Sequence, residues 1–256
     1  MKILSACVAS AIVLFSAGAQ QANALVKETV FRVFTDVVDP SNQQAFEAAI
    51  KTYSKCLADH KFTGSMRAYG GETGNTYKYT FVMGLQNWNA LDGMSDVAKA
   101  CGTGWRSAGN AHLKSETSLI LAEVPELSYL PQTREMKPAL VNVTTFVLKD
   151  SSGVANFLDS FTKLRASAVK STWPGNYILY EVRGGDSAAP AYVMVSSYKG
   201  WTEYGAGGRS EAMKMFATVN GQDNVTALTK TISDTVAKTS SHVDSYIESL
   251  SYVPAQ

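Results

Sequence analysis

The chain has 256 residues, 23 basic against 22 acidic side chains, and 45% hydrophobic residues. That hydrophobic content excludes a disordered chain, and a near-zero charge without Lys/Arg clusters gives no footprint for nucleic acid or an anionic membrane surface. The length suffices for two cores or one large shared one.

Residues 1–24 read as a secretory signal peptide. Lys2 supplies the positive start, residues 3–15 are mostly apolar, and Ala22-Asn-Ala24 is a small-x-small cleavage site. Cleavage near Ala24 would export the chain to a periplasmic or extracellular compartment. Cys7 precedes the apolar run and is read as part of the signal. No other stretch reaches the roughly 18 apolar residues that suggest a membrane span.

From residue 25 to 131 the chain reads β-α-β-β-α-β. Residues 26–38 are β-rich, and Asp39-Pro40-Ser41 opens a helix with Phe46, Ala49, Ile50, Tyr53, Leu57 and His60 at helical spacing. Residues 65–70 and 76–85 form a hairpin around a Gly-bearing turn. A second helix carries Val97, Cys101, Trp105, Ala108 and His112 on one stripe, and a closing strand is expected near 118–129. The proline-bounded polar stretch 132–138 is the natural linker.

Residues 139–256 repeat that order. A strand at 140–148 precedes a helix with Val154, Phe157, Leu158, Phe161, Leu164 and Ala168 on one face, and the hairpin strands are 176–183 and 191–197. The region after Trp201 is broken at Asn220-Gly221 into helical pieces near 210–218 and 224–239, and the last strand is expected at 243–252. Phe46 matches Phe157 and Tyr69 matches Tyr180 at a shift of 111, while Leu127-Ser-Tyr-Leu-Pro131 matches Leu250-Ser-Tyr-Val-Pro254 at a shift of 123. A repeat of this length means two related folding units. The expected fold class is therefore α+β: tandem ferredoxin-like units packed sheet-to-sheet in one chain as a pseudo-dimeric barrel, monomeric overall.

In each unit a strand runs into a tryptophan that opens the second helix: Phe81-Val-Met-Gly-Leu-Gln-Asn-Trp88 and Tyr192-Val-Met-Val-Ser-Ser-Tyr-Lys-Gly-Trp201. This junction, with the element order, resembles the dimeric α+β barrel superfamily that includes antibiotic-biosynthesis-type monooxygenases. The resemblance implies a barrel with an oxygenase-type or small-molecule site. Family members often carry a glutamate just before the tryptophan and histidines soon after it. This chain has Gln86-Asn87 before Trp88 and no histidine in 91–100 or 201–216.

No nucleophile elbow, phosphate loop, dinucleotide fingerprint or zinc spacing is present. Cys56 and Cys101 read as a structural disulfide between the two helices of the first unit, with two buried thiols as the alternative; the C-x-x-C spacing of a redox pair is missing. Strand alternation groups Arg67, Tyr69, Tyr77, Tyr79, Phe81 and Met83 on one face, and Ile178, Tyr180, Tyr192 and Met194 on the matching face of the second unit. The second unit lacks counterparts of Arg67 and His112, so the expected ligand site is Arg67, Tyr69, Tyr79, Phe81, Trp88 and His112, with His112 and Arg67 as catalytic candidates. The missing glutamate and histidines favour a protein that binds a small, largely apolar molecule or an envelope partner, without catalysis, metal or cofactor. The alternative is an enzyme of the cofactor-free monooxygenase or isomerase kind, with tyrosine and His112 as acid–base groups and Arg67 steadying an oxyanion, or a haem-binding relative relying on His112.

Overall fold

The computed structural model describes residues 29–131, 138–207 and 209–254. The expected signal peptide, and the linker apart from Pro138, lie outside the described residues. The first half supplies β1 (Val30–Val38), α1 (Gln43–Asp59), β2 (Ser65–Gly71), β3 (Lys78–Leu85), α2 (Asn89–Ala108) and β4 (Leu113–Glu123). The second half supplies β5 (Leu140–Leu148), α3 (Val154–Ser171), β6 (Ile178–Gly184), β7 (Ala191–Tyr198), α4 (Trp201–Ala206), α5 (Arg209–Asn220), α6 (Gln222–Thr235) and β8 (Val236–Tyr246).

Local chemistry explains most of these boundaries. Pro40 opens the turn into α1, where its fixed φ and missing N–H cost nothing. α1 buries Phe46, Ala49, Ile50 and Leu57, one stripe of a 3.6-residue repeat. The β2–β3 turn needs Gly74 at φ +78°, a conformation that strains any residue with a side chain. Two expectations are corrected. β4 and β8 begin earlier and end sooner than 118–129 and 243–252, and residues 236–239, read as helix, are strand. The first halves of both strands are exposed and polar, so they carry no apolar alternation to read.

The eight strands close into one antiparallel barrel in the order β1-β3-β2-β8-β5-β7-β6-β4. Each half contributes a four-stranded ferredoxin-like sheet. The two sheets do more than face one another: β2 pairs with β8, and β4 with β6. Pairing at both seams satisfies the edge N–H and C=O groups that either sheet alone would leave open.

Every strand therefore serves two cores. One lies under the helices of each half, with Phe46, Ala68, Tyr79, Phe81 and Met83 in the first and Phe157, Phe161, Leu179 and Tyr192 in the second. Another fills the barrel, with Phe31, Val33, Leu121 and Val193. Ala68 stands opposite Phe81, whereas Arg67 stands opposite Val82 and Tyr69 opposite Thr80. The expected grouping of faces is thus corrected. Arg67 and Tyr69 point into the barrel, and Tyr79, Phe81 and Met83 point to the helices. The same holds in the second half, where Tyr180 pairs with Val193 in the barrel while Leu179 and Tyr192 lie under helices.

The two seams differ in chemistry. At the β2–β8 seam Lys78 Nζ lies 3.1 Å from Asp244 Oδ1 and donates to Oδ2 at 3.3 Å, and His242 Nε2 is 3.3 Å from Oδ2. The Asp244 side chain is only 1% exposed. Its Oδ1 sits at ion-pair distance from the ammonium but receives no hydrogen bond. The other seam has Ala191, Leu121 and Leu119 at the corresponding register positions.

α1 and α2 are joined by the Cys56–Cys101 disulfide, with Cα atoms 5.8 Å apart. In the second half the corresponding link is a hydrogen bond, Asn220 Nδ2 donating to Ser167 Oγ at 2.7 Å.

Reducing the disulfide should lower stability by about 2–4 kcal/mol, whereas Ser167→Ala should cost about 1 kcal/mol, both read from urea unfolding midpoints. Lys78→Met strands a buried carboxylate and should cost roughly 3–5 kcal/mol. Adding Asp244→Asn to that variant should recover most of the loss in the same assay.

Candidate functional site

The residues expected to share one site do not share one. Arg67 and Tyr69 lie on the barrel side of β2, where Arg67 Nη1 donates to Ser65 Oγ at 2.7 Å and Tyr69 meets Tyr246 edge-on at 5.7 Å. Tyr79 and Phe81 are buried under α1, both against the Phe46 ring. Trp88 is 46% exposed, immediately before α2. His112 ends the short 3-10 turn Asn110–His112 between α2 and β4 and is half-buried. The cause of the split is the hairpin register described above, since a one-residue change of phase moves a side chain through the sheet.

A different cluster gathers around Tyr79. Asp36 stands opposite Tyr79 across β1–β3 and opposite Glu116 across β1–β4. The phase of β1 that buries Val30 and Val38 under the helices carries Asp36 as well, and Asp36 is 2% exposed. From the first turns of α1, Gln43 Nε2 donates to the Tyr79 hydroxyl at 3.3 Å, and that hydroxyl donates to Glu47 Oε1 at 2.7 Å.

Burial pushes the Asp36 carboxyl up to about 7, helped by the negative charge of Glu116 and by a hydrogen bond between the two carboxyl groups. A carboxylic acid that titrates near neutrality can both hold and release a proton under ordinary conditions. Among the described residues, Asp36 Oδ1 has no hydrogen-bond partner. Glu116 is exposed, so the pair runs from the core to solvent. Burial likewise raises Tyr79, to about 12, so its hydroxyl stays protonated and acts as a donor.

Among the described residues, the second half has none of this. At the register position of Asp36 stands Phe146, opposite Tyr192 and Thr239, and the positions of Gln43 and Glu47 are taken by Val154 and Leu158. Phe146 packs on Phe157 and Phe161. One half thus keeps an ordinary aromatic core where the other holds carboxyl groups, at a cost in stability. Asp36, Gln43, Glu47 and Glu116 were not singled out from sequence. The available signal was a carboxylate on the buried phase of β1, between Phe34 and Val38.

Between sheet and helices the rings of Phe46, Tyr79, Phe81 and Trp105 pack together in the first half, and those of Phe146, Phe157, Phe161 and Tyr192 in the second. A cavity of about 270 Å³ inside the barrel, walled mostly by valine and threonine, falls below the ~300–1,000 Å³ usual for small-molecule sites.

No protein-family model matches the chain, and no curated protein matches it. Solved structures share its fold. A protein assigned as a monooxygenase from Lactobacillus acidophilus superimposes with TM-score 0.55 at 10% identity, over 90% of this chain and 98% of its own. An anthrone oxidase-like protein gives TM-score 0.58 at 10% identity, over 87% and 92%. A chlorite dismutase variant from Candidatus Nitrospira defluvii gives 0.56 at 10%, over 87% and 93%. The resemblance to the α+β barrel superfamily holds at the level of fold. The expectation of a protein that binds without catalysis is corrected: these structural relatives are monooxygenase-, oxidase- and dismutase-type proteins, and they support the enzyme alternative instead.

The Asp36 shift carries a stability cost with a definite sign. Its folded value lies above its unfolded one, so between about 4 and about 7 the folded state binds more protons, and stability falls as pH rises through that window. Asp36→Asn removes the charge at similar volume. It should be more stable than the parent chain by roughly 2–4 kcal/mol at pH 8, with the gap closing towards pH 4, in paired urea melts.

Proposed function

We propose that this protein is an enzyme of the cofactor-free monooxygenase or isomerase kind that works by removing a proton from a weakly acidic C–H or O–H group. The observation that carries this reading is Asp36: a buried carboxyl, raised to about 7, with one oxygen unpartnered and the other side of the group tied to Glu116. A general base is most effective when its pKa lies near the working pH. Asp36 takes the proton, and the exposed Glu116 passes it on to solvent. Opposite the base in the β1–β3 register, the Tyr79 hydroxyl accepts from Gln43 and gives its one proton to Glu47, so it orders the wall beside Asp36 as a neutral group. Arg67 is not needed for this chemistry, because it lies on the barrel face of the hairpin, away from Asp36 and Tyr79.

Anthrone is a suitable probe, since an anthrone oxidase-like protein shares the fold. Its C10 methylene loses a proton to the base, and the anion reacts with dioxygen to give anthraquinone and water. One dioxygen is consumed per anthrone, so the balance needs no other oxidant. The protein should accelerate quinone formation under air, with a rate that rises through a pH near 7. Asp36→Asn should lose about 10²–10⁴-fold of that acceleration, as removal of a general base does. Glu116→Gln should shift the pH midpoint downward, because a negative neighbour is lost. An Asp36→Asn protein as fast as the parent on anthrone and on a ketone isomerisation panel would overturn the proposal.

A further inference from the structure

We propose that Cys56, Cys101 and His60 form a metal site that becomes available when the disulfide between the two cysteines is reduced. The two sulfurs and an imidazole nitrogen all lie within 4.8 Å of one another. Cys56 and His60 are four residues apart at the end of α1 and so share a face, while Cys101 projects from the facing α2. The Cα atoms of the two cysteines, 5.8 Å apart, require the sulfurs only to swing away from each other after reduction. Zinc–sulfur bonds of about 2.3 Å and a zinc–nitrogen bond of about 2.0–2.1 Å fit a donor set of this spread.

The chemistry balances with a thiol or phosphine as reductant. A phosphine attacks one sulfur and breaks the S–S bond, and water then gives its oxygen to phosphorus and its two protons to the thiolates, leaving a phosphine oxide and two thiols; two equivalents of thiol do the same and leave as their own disulfide. A divalent ion then displaces both thiol protons. Two thiolates and an imidazole select Zn²⁺ or another soft or borderline ion over Mg²⁺ or Ca²⁺. His60 is exposed, so solvent reaches the fourth coordination position.

Two independent features favour a cation here. The site lies at the C-terminal end of α1, where the last carbonyls carry partial negative charge. His60 is the residue that caps this end, its backbone N–H bonded to the Cys56 carbonyl at 3.0 Å. In addition, the second half has Ser167 and Ser171 at the positions of Cys56 and His60, and Ser167 is bonded there by Asn220. A link needed only for packing is met there by a hydrogen bond. His60 has no part in a disulfide, yet it accompanies the cysteines. The metal would keep α1 and α2 joined after the covalent bond is lost.

The test uses the full chain carrying Cys7→Ser, so that only two thiols remain, reduced with a phosphine and titrated with Co²⁺. The expected result is one ion per chain, with thiolate-to-cobalt charge transfer and tetrahedral bands that Zn²⁺ abolishes. Unreduced protein should show none of these bands. His60→Ala should weaken binding at least about tenfold, and Cys56→Ser should remove most of the charge transfer. Near-ultraviolet circular dichroism follows the fold in parallel. If reduction alone loosens the packing, added metal should restore the native signal. Absence of the bands, unchanged affinity in His60→Ala, or a loosened chain that metal does not restore would each overturn the proposal.

Discussion

Closure of the barrel is the constraint from which the rest of this structure follows. A ferredoxin-like sheet alone has two open edges and one bare face. Pairing β2 with β8 and β4 with β6 removes all four edges at once and encloses both bare faces. Each strand then has no solvent side over most of its length, so alternate residues must fit two different cores. A polar residue on either phase is therefore conspicuous, because it has to be supplied with partners inside the protein.

Two groups of such residues, among others, lie on opposite faces of the barrel wall. Lys78, Asp244 and His242 lie on the barrel side and neutralise one another at a seam. Asp36, Glu116, Tyr79, Glu47 and Gln43 lie on the helix side, where acidic groups outnumber cations. The first arrangement satisfies its charges and reads as structure. The second sets a buried carboxyl beside another carboxyl instead of a lysine, and its pKa rises, which is what a reactive group requires. The second half, with Phe146 and Leu158 at the corresponding positions, shows that the fold itself does not need carboxylates there.

The architecture was legible in the sequence because it rests on long-period signals. The shifts of 111 and 123 revealed two copies, and helical stripes such as Phe46, Ile50 and Leu57 survived into the structure as buried faces. What could not be read was phase. β2 and β3 each alternate cleanly, but nothing in either strand states that Ala68, rather than Arg67, stands opposite Phe81. That single register choice separated Arg67 and Tyr69 from Tyr79 and Phe81. Glu47 and Glu116 were hidden for another reason: each looks like a solvated surface residue until Asp36 and Tyr79 are placed beside it. Cys56 and Cys101 were easier, because an even pair on two helices that pack together has few alternatives.

The unlike seams also decide which halves can recognise each other while the chain is being made. A first half that met another first half would pair its β2 with the other's β4. Lys78 would then stand where the native partner strand offers Asp244, but would find Leu121 of the intruder instead. An ammonium group sealed against leucine is heavily penalised, so newly made N-terminal halves are steered away from one another and towards their own C-terminal halves. One buried ion pair thus makes the two unlike seams chemically distinct although the folds of the halves are alike.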